Sequence, residues 1–168
     1  MAGSLLDALL QYCKKASRNS AVAAIDSALF LGLLSRDELG QLAERLPKRC
    51  RPWLRRVNGR AESGLETILR LACEDQGWDV EVQVPFRSGR IDIVINGWLC
   101  IEIDGSEFHD VGAQAKKDRI RNTQIVQAGL RWHRFGYADV VHKLDETIAV
   151  IRKLLLAGAP SLPAAALA

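Results

Sequence analysis

The sequence predicts an α/β (α+β) chain: a mixed central sheet of about four strands flanked by helices, preceded by a small helical N-terminal region. Three observations carry that expectation. Apolar residues recur at helical spacing through the first third, they switch to period-two alternation between residues 79 and 104, and a last apolar run at 130–135 sits between two more helical patterns. The order helix, three strands, helix, strand, helix implies a mixed sheet with helices packed against it.

The elements follow in order. Leu5, Leu6, Leu9 and Leu10 open a first helix, and AVAAIDSALFLGLL after Ser20 supplies a second. In SRDELGQLAERL, Ser35 stands three residues before Glu38, a capping box that satisfies the free N–H groups of a third helix. Pro47 and Pro52 break the pattern, and a basic segment follows as loop or short turns. SGLETILRLACEDQG then puts Leu65, Ile68, Leu69 and Ala72 on one helical face and ends at Gly77. DVEVQVPF alternates as a half-buried strand does. RIDIVI and WLCIEID are two more strands joined by Asn96-Gly97, a dipeptide that accepts positive φ at both positions of a two-residue turn. Residues 79–104 are therefore expected to form an antiparallel meander. A helix rich in Lys, Arg, Asp and Gln at about 113–128 is closed by Gly129, LRWHRF is a fourth strand and DETIAVIRKLLL a last helix. The expected division is a helical region with a basic linker at 1–59, a main domain at 60–156 and a loose, low-complexity tail at 157–168.

Composition excludes several classes. The 168 residues are 48% apolar and 26% charged, which closes a core and argues against disorder. No apolar run reaches the roughly 18 residues of a membrane span. The first fifteen residues place lysines after the apolar stretch and an aspartate within it, unlike a secretory signal. Cys13, Cys50, Cys73 and Cys100 are widely spaced, which suits reduced thiols in a cytoplasm.

The net charge of +3 hides a division. Residues 1–64 hold 11 Lys/Arg against 6 Asp/Glu, whereas residues 65–168 hold 12 against 14. Arg45 to Arg60 carries seven basic residues and no acid, with Trp53 among them. Cationic side chains with an interleaved aromatic are what phosphate attraction and base contact use, so Arg49, Arg51, Trp53, Arg55 and Arg56 are candidates for nucleic-acid binding. A solvated connector is the plain alternative.

Strand alternation points to a chemical site. Asp92 and Val94 face away from Ile91, Ile93 and Ile95, and Glu102 and Asp104 face away from Ile101 and Ile103. A two-residue turn would set Asp92 opposite Ile101 and leave Glu102 one residue off register. Carboxylates so close repel unless a counter-ion joins them, and oxygen donors suit Mg²⁺ or Mn²⁺. Such an ion polarises a phosphodiester and activates water. A wet sheet face carrying exposed carboxylates is the alternative.

The stretch from AESGLE through RIDI, IEIDG with its following FH, KDRIRN and RFGYADVV resembles a bacterial branch of the PD-(D/E)XK nuclease superfamily, similar to very-short-patch-repair endonucleases, over about residues 60–152. The resemblance implies a restriction-endonuclease-like core and a Mg²⁺- or Mn²⁺-dependent endonuclease acting on DNA. Glu66, Asp92 and Glu102 would be its acids, with Asp92, Glu102 and Asp104 holding metal. Asp104 falls where much of the superfamily has a lysine, so either Asp104 itself or Lys116 or Lys117 would serve there. His109 would activate water or contact phosphate, and Arg119 and Arg121, with Lys116 and Lys117, would hold nucleic acid. Asn122 and His133 depart from the usual pattern. Gln83, on the first strand, could approach the same site, and Trp98 and Trp132 could stack on bases. Each has an ordinary rival: a capping box with Ser63 for Glu66, a loop histidine for His109, a solvated helix face for the arginines, a wet strand position for Gln83, and packing for Trp98 and Trp132. Roles in defence, repair or a toxin–antitoxin pair fit so short a chain, with DNA as substrate, RNA as a third reading, an antitoxin or other protein as partner, and a homodimer as one assembly. A catalytically weak fold kept for DNA or protein binding is the main alternative.

Overall fold

The computed structural model describes residues 4–87, 89–104 and 123–160. They belong to two compact units, Met1–Leu71 and Ala72–Ala168.

The first unit is helical. Helices α1 (Leu5–Lys15), α2 (Arg18–Phe30) and α3 (Arg36–Arg45) begin at Ser4, Ser17 and Ser35, whose hydroxyls accept the N–H of the residue three positions on. Ser35 and Glu38 form the reciprocal box that their spacing implies. Leu9, Leu10 and Cys13 of α1 meet Ala21, Ile25 and Ala28 of α2, with Leu34, Leu42, Leu46 and Cys50 completing a core that needs no sheet.

The basic segment is more ordered than its prolines suggest. Residues Arg51–Arg56 form a 3₁₀ helix with Pro52 in its first turn. Arg51 donates to the carbonyls of Leu46 (3.1 Å) and Glu44 (3.0 Å) at the end of α3, and Arg49 donates to the Lys14 carbonyl at the end of α1. Helix C-termini carry unpaired carbonyls and partial negative charge, so cations settle there. Trp53, Leu54 and Val57 lie half-buried against the helical core.

Helix α4 (Gly64–Glu74) begins in this unit, and its residues Thr67 and Arg70 reach the carboxylate of Asp26, which is fully buried in α2. Asp26 accepts from Thr67 Oγ1 (3.0 Å), Arg70 Nη2 (3.0 Å) and the N–H groups of Asn58 (2.7 Å) and Gly59 (3.0 Å). Gly59 has φ +67°, and a Cβ there would lie 3.1 Å from that of Leu29, so a larger residue would disturb this anchor.

The second unit holds the sheet. Strands β1 (Val80–Phe86), β2 (Gly89–Ile95) and β3 (Leu99–Asp104) form the expected antiparallel meander, and β4 (Arg131–Gly136) adds parallel to β3, in spatial order β1-β2-β3-β4. The mixed α/β class expected from the pattern is thus present. Residues 123–127 are helical and end at Gly129 (φ +74°), where Leu130 N–H bonds to Ile125 O at 3.2 Å. Ile125, Ala128 and Leu130 are buried with Val84, Phe86, Ile91, Val94 and Cys100. The rest of the expected 113–128 helix lies outside the described residues. A short helix α5 (Tyr137–Val141), too brief to leave a periodic signal, precedes α6 (Leu144–Leu156). Arg131 ties α6 to β4 by donating to Leu154 O at 3.0 Å.

The β2–β3 turn differs from expectation in a way that matters. The pairs are Ile95↔Leu99, Val94↔Cys100 and Ile93↔Ile101, so the loop has three residues, Asn96, Gly97 and Trp98. Asn96 (φ +51°) and Gly97 (φ +73°) take the left-handed conformations, as the dipeptide implies. Trp98, the third loop residue, accepts from Arg131 N–H through its carbonyl (3.0 Å), and its ring packs partly buried against the sheet cluster. Asn96 is held in turn by reciprocal bonds with Asp79, donating N–H to its carbonyl and accepting from its N–H.

All four cysteines are buried and form no disulfide. Burial pushes the Cys73 thiol up to about 12, and burial also raises Cys13.

Among the described residues, no helix is long and apolar enough to cross a membrane.

Candidate active site

The three-residue loop shifts the β2–β3 register by one from the expected arrangement. Continuing it past Ile93↔Ile101 sets Asp92 directly opposite Glu102, not opposite Ile101. Opposed residues in an antiparallel pair share a face, with Cα atoms about 4.5–5.5 Å apart in either pair type. The two acids therefore occupy facing register positions just past the end of the ladder.

Their surroundings differ. Glu102 is only 7% exposed and Asp92 is half-buried, so the wet-face alternative does not describe this pair. The β2–β3 ladder stops at Ile93↔Ile101, and the Asp92 carboxylate itself takes over the next bond, accepting from Ile103 N–H at 2.8 Å through Oδ2. A side chain thus substitutes for a strand carbonyl and fixes the carboxylate against β3. Asp104 lies on the same pleat side at the end of β3, half-buried, and pairs with Gly136.

The parallel β4 extends this row. Glu102 pairs with Arg134, an exposed residue whose guanidinium lies 5.5 Å over the Trp132 ring. At the other end, the β1–β2 register sets Gln83 across from Asp92, between Val82↔Ile93 and Val84↔Ile91. One transverse line of the sheet thus carries Gln83, Asp92, Glu102 and Arg134. Sequence reasoning did not select Arg134, because only the parallel register places it beside Glu102. Gln83 is buried at 5% exposure, not wet.

Other candidates lie elsewhere or outside view. Glu66 belongs to the helical unit and closes a capping box: Ser63 Oγ (2.9 Å) and Glu62 N–H (3.0 Å) donate to its carboxylate, and its own N–H donates to Ser63 Oγ (3.2 Å). His133 pairs with Ile101, on the pleat side opposite the acids, with its ring 4.6 Å from that of Phe135. Burial lowers its pKa, and Asp139 partly offsets this. Arg55 is exposed, Arg56 donates to Leu71 O (3.4 Å), and Arg49 and Arg51 keep exposed side chains while bonding helix ends. His109, Lys116, Lys117, Asp118, Arg119, Arg121 and Asn122 lie outside the described residues.

The donor set fits a hard divalent cation in part. Mg²⁺ takes one or two protein carboxylates and keeps water on its other positions, which an opposed Asp–Glu pair allows. Among the described residues, no group of three or more His, Cys, Asp and Glu side chains is arranged to enclose an ion.

Compared with known proteins, the chain matches no family model, no curated protein and no solved structure.

Proposed function

We propose that the protein is a Mg²⁺- or Mn²⁺-dependent endonuclease that hydrolyses DNA phosphodiester bonds. The observation that carries the reading is the register that sets Asp92 opposite a buried Glu102. Two carboxylates at neighbouring positions of adjacent strands offer the hard oxygen donors that Mg²⁺ or Mn²⁺ takes. Asp92 and Glu102 would hold the ion, which when bound polarises the phosphodiester and lowers the pKa of a coordinated water. Asp92 is kept in place by Ile103 N–H. Arg134, one strand over, would hold a phosphate oxygen through its fork of donors. Asp104 or His109 would take the proton from the attacking water. Lys48, Arg49, Arg55 and Arg60, exposed on the helical unit, would hold the nucleic-acid backbone. Glu66, both of whose oxygens serve the α4 cap, is given no step.

The test is relaxation of supercoiled plasmid with Mg²⁺ or Mn²⁺, with EDTA, and with Asp92→Asn, which keeps an acceptor for Ile103 N–H but removes the charge. Cleavage should need the metal and fall at least about a hundredfold in the variant, the scale of losing one transition-state charge interaction. Metal-independent cutting, or full cutting by the variant, overturns the mechanism. Single- and double-stranded DNA and RNA compared side by side fix the substrate class.

A binding module is the second reading, favoured by Asp104 in place of a lysine. It expects a steeply salt-dependent gel shift and no heat of Mn²⁺ binding.

A further inference from the structure

Gln83 is the least ordinary residue of the sheet. It lies in the interior of β1 with φ +53°, a left-handed conformation that costs a non-glycine residue about 1–3 kcal/mol. No residue is inserted there, since the same β1–β2 register holds at Val82↔Ile93 and at Val84↔Ile91. The strain is therefore not that of a bulge absorbing an extra residue. It also breaks the exposure pattern, because Val82, Gln83 and Val84 are all buried, at 2%, 5% and 8% exposure. A strand with one wet face would have exposed the polar residue of the three.

Both ladder interruptions fall on one line of the sheet. Regular β1–β2 pairing skips Gln83 and Asp92, and β2–β3 pairing stops before Asp92 and Glu102. A carboxamide is thus buried at the register position next to the acid pair. We infer that Gln83 is a third oxygen donor of the Asp92–Glu102 cation site, and this rests on the metal-dependent reading above. The chemistry explains the residue type. A third carboxylate here would add a like charge beside two acids, whereas an amide oxygen adds a hard ligand with no charge.

The experiment is Mn²⁺ titration calorimetry on the full chain, with thermal unfolding in EDTA and in Mn²⁺, for wild type, Gln83→Gly, Gln83→Glu and Asp92→Asn. Glycine adopts φ +53° without strain but empties a buried side-chain position, so the Mn²⁺ response of Gln83→Gly is read against its own Tm in EDTA. Its Mn²⁺ affinity should fall about ten- to a hundredfold, and the rise in Tm on adding Mn²⁺ should shrink with it. Gln83→Glu should bind Mn²⁺ more tightly than wild type, which a purely structural role would not produce. If wild type binds Mn²⁺ through Asp92 while Gln83→Gly and Gln83→Glu bind it equally well, the Gln83 inference alone is overturned. If wild type binds no Mn²⁺, or Asp92→Asn binds it unchanged, the metal-dependent reading falls and takes this inference with it.

Discussion

Asp26 in the helical unit and Glu102 in the sheet unit are both buried acids, yet they are surrounded in opposite ways. Asp26 receives two backbone N–H groups, a threonine hydroxyl and a guanidinium, and its ion pair with Arg70 is sealed at 1% and 3% side-chain exposure. Glu102 instead stands across from another acid, and that acid is fastened to β3 by a backbone N–H. The first arrangement cancels charge inside the protein and fastens α2, α4 and the Asn58–Gly59 turn together. The second sets two acids at neighbouring positions of adjacent strands. A buried acid held by two backbone N–H groups, a hydroxyl and a guanidinium is a structural anchor.

The largest expected effect comes from breaking the anchor. Arg70→Met removes the guanidinium and strands the Asp26 carboxylate in the interior, and should cost about 3–5 kcal/mol in urea unfolding. A loss below about 1 kcal/mol, the scale of an exposed pair, would show that the two sites do not differ as described.

The amide pair sharpens the contrast at intermediate scale. Asp26→Asn weakens four charge-assisted bonds and should destabilise by about 2–3 kcal/mol. Glu102→Gln removes a like charge, and in EDTA its stability should stay within about 1 kcal/mol of wild type or rise. Equal losses for both variants would mean that Glu102 is as much an anchor as Asp26.

The order of helices and strands among the described residues was largely legible in the sequence, and the reasons are local. Ser35 with Glu38, Asn96-Gly97 and Gly129 each announce an element end through backbone chemistry complete within a few residues. The Asp26 network was not legible, because its donors come from residues 32–44 positions away and nothing near Asp26 marks it as buried. Asp92 and Glu102 could be chosen from strand alternation, but their register could not, since Asn96-Gly97 implies a two-residue loop and Trp98 makes a third. For Gln83 the sequence left an approach to the acids and a wet strand position equally open, because alternation holds no information about φ or about burial on both sides. Arg49 and Arg51 read as free charge, while helix-end carbonyls thirty-five and five or seven residues away claim their donors.

The smallest expected effect concerns pH and tests whether the face opposite the acids is set apart from them. Burial holds the His133 pKa below its ordinary 6.5, so the folded protein prefers the neutral ring. Its contribution is fully present above that value and declines as the pH falls through 6.5 toward the lower folded pKa, because the unfolded chain takes up the proton first. Thermal unfolding at pH 5.5 and 7.5 should show a smaller acid-side drop in His133→Gln than in wild type. An unchanged drop would assign the acid sensitivity to other groups.

The Asn96-Gly97-Trp98 turn works as a ruler. Because side chains alternate with period two, removing or adding one residue there would carry either strand half a pleat past the other, and Asp92 would face an isoleucine side instead of Glu102. Many substitutions in those three residues leave the spacing alone. Among variant chains, tolerance at this turn should therefore divide by length more sharply than by residue type, with insertions and deletions excluded where replacements survive.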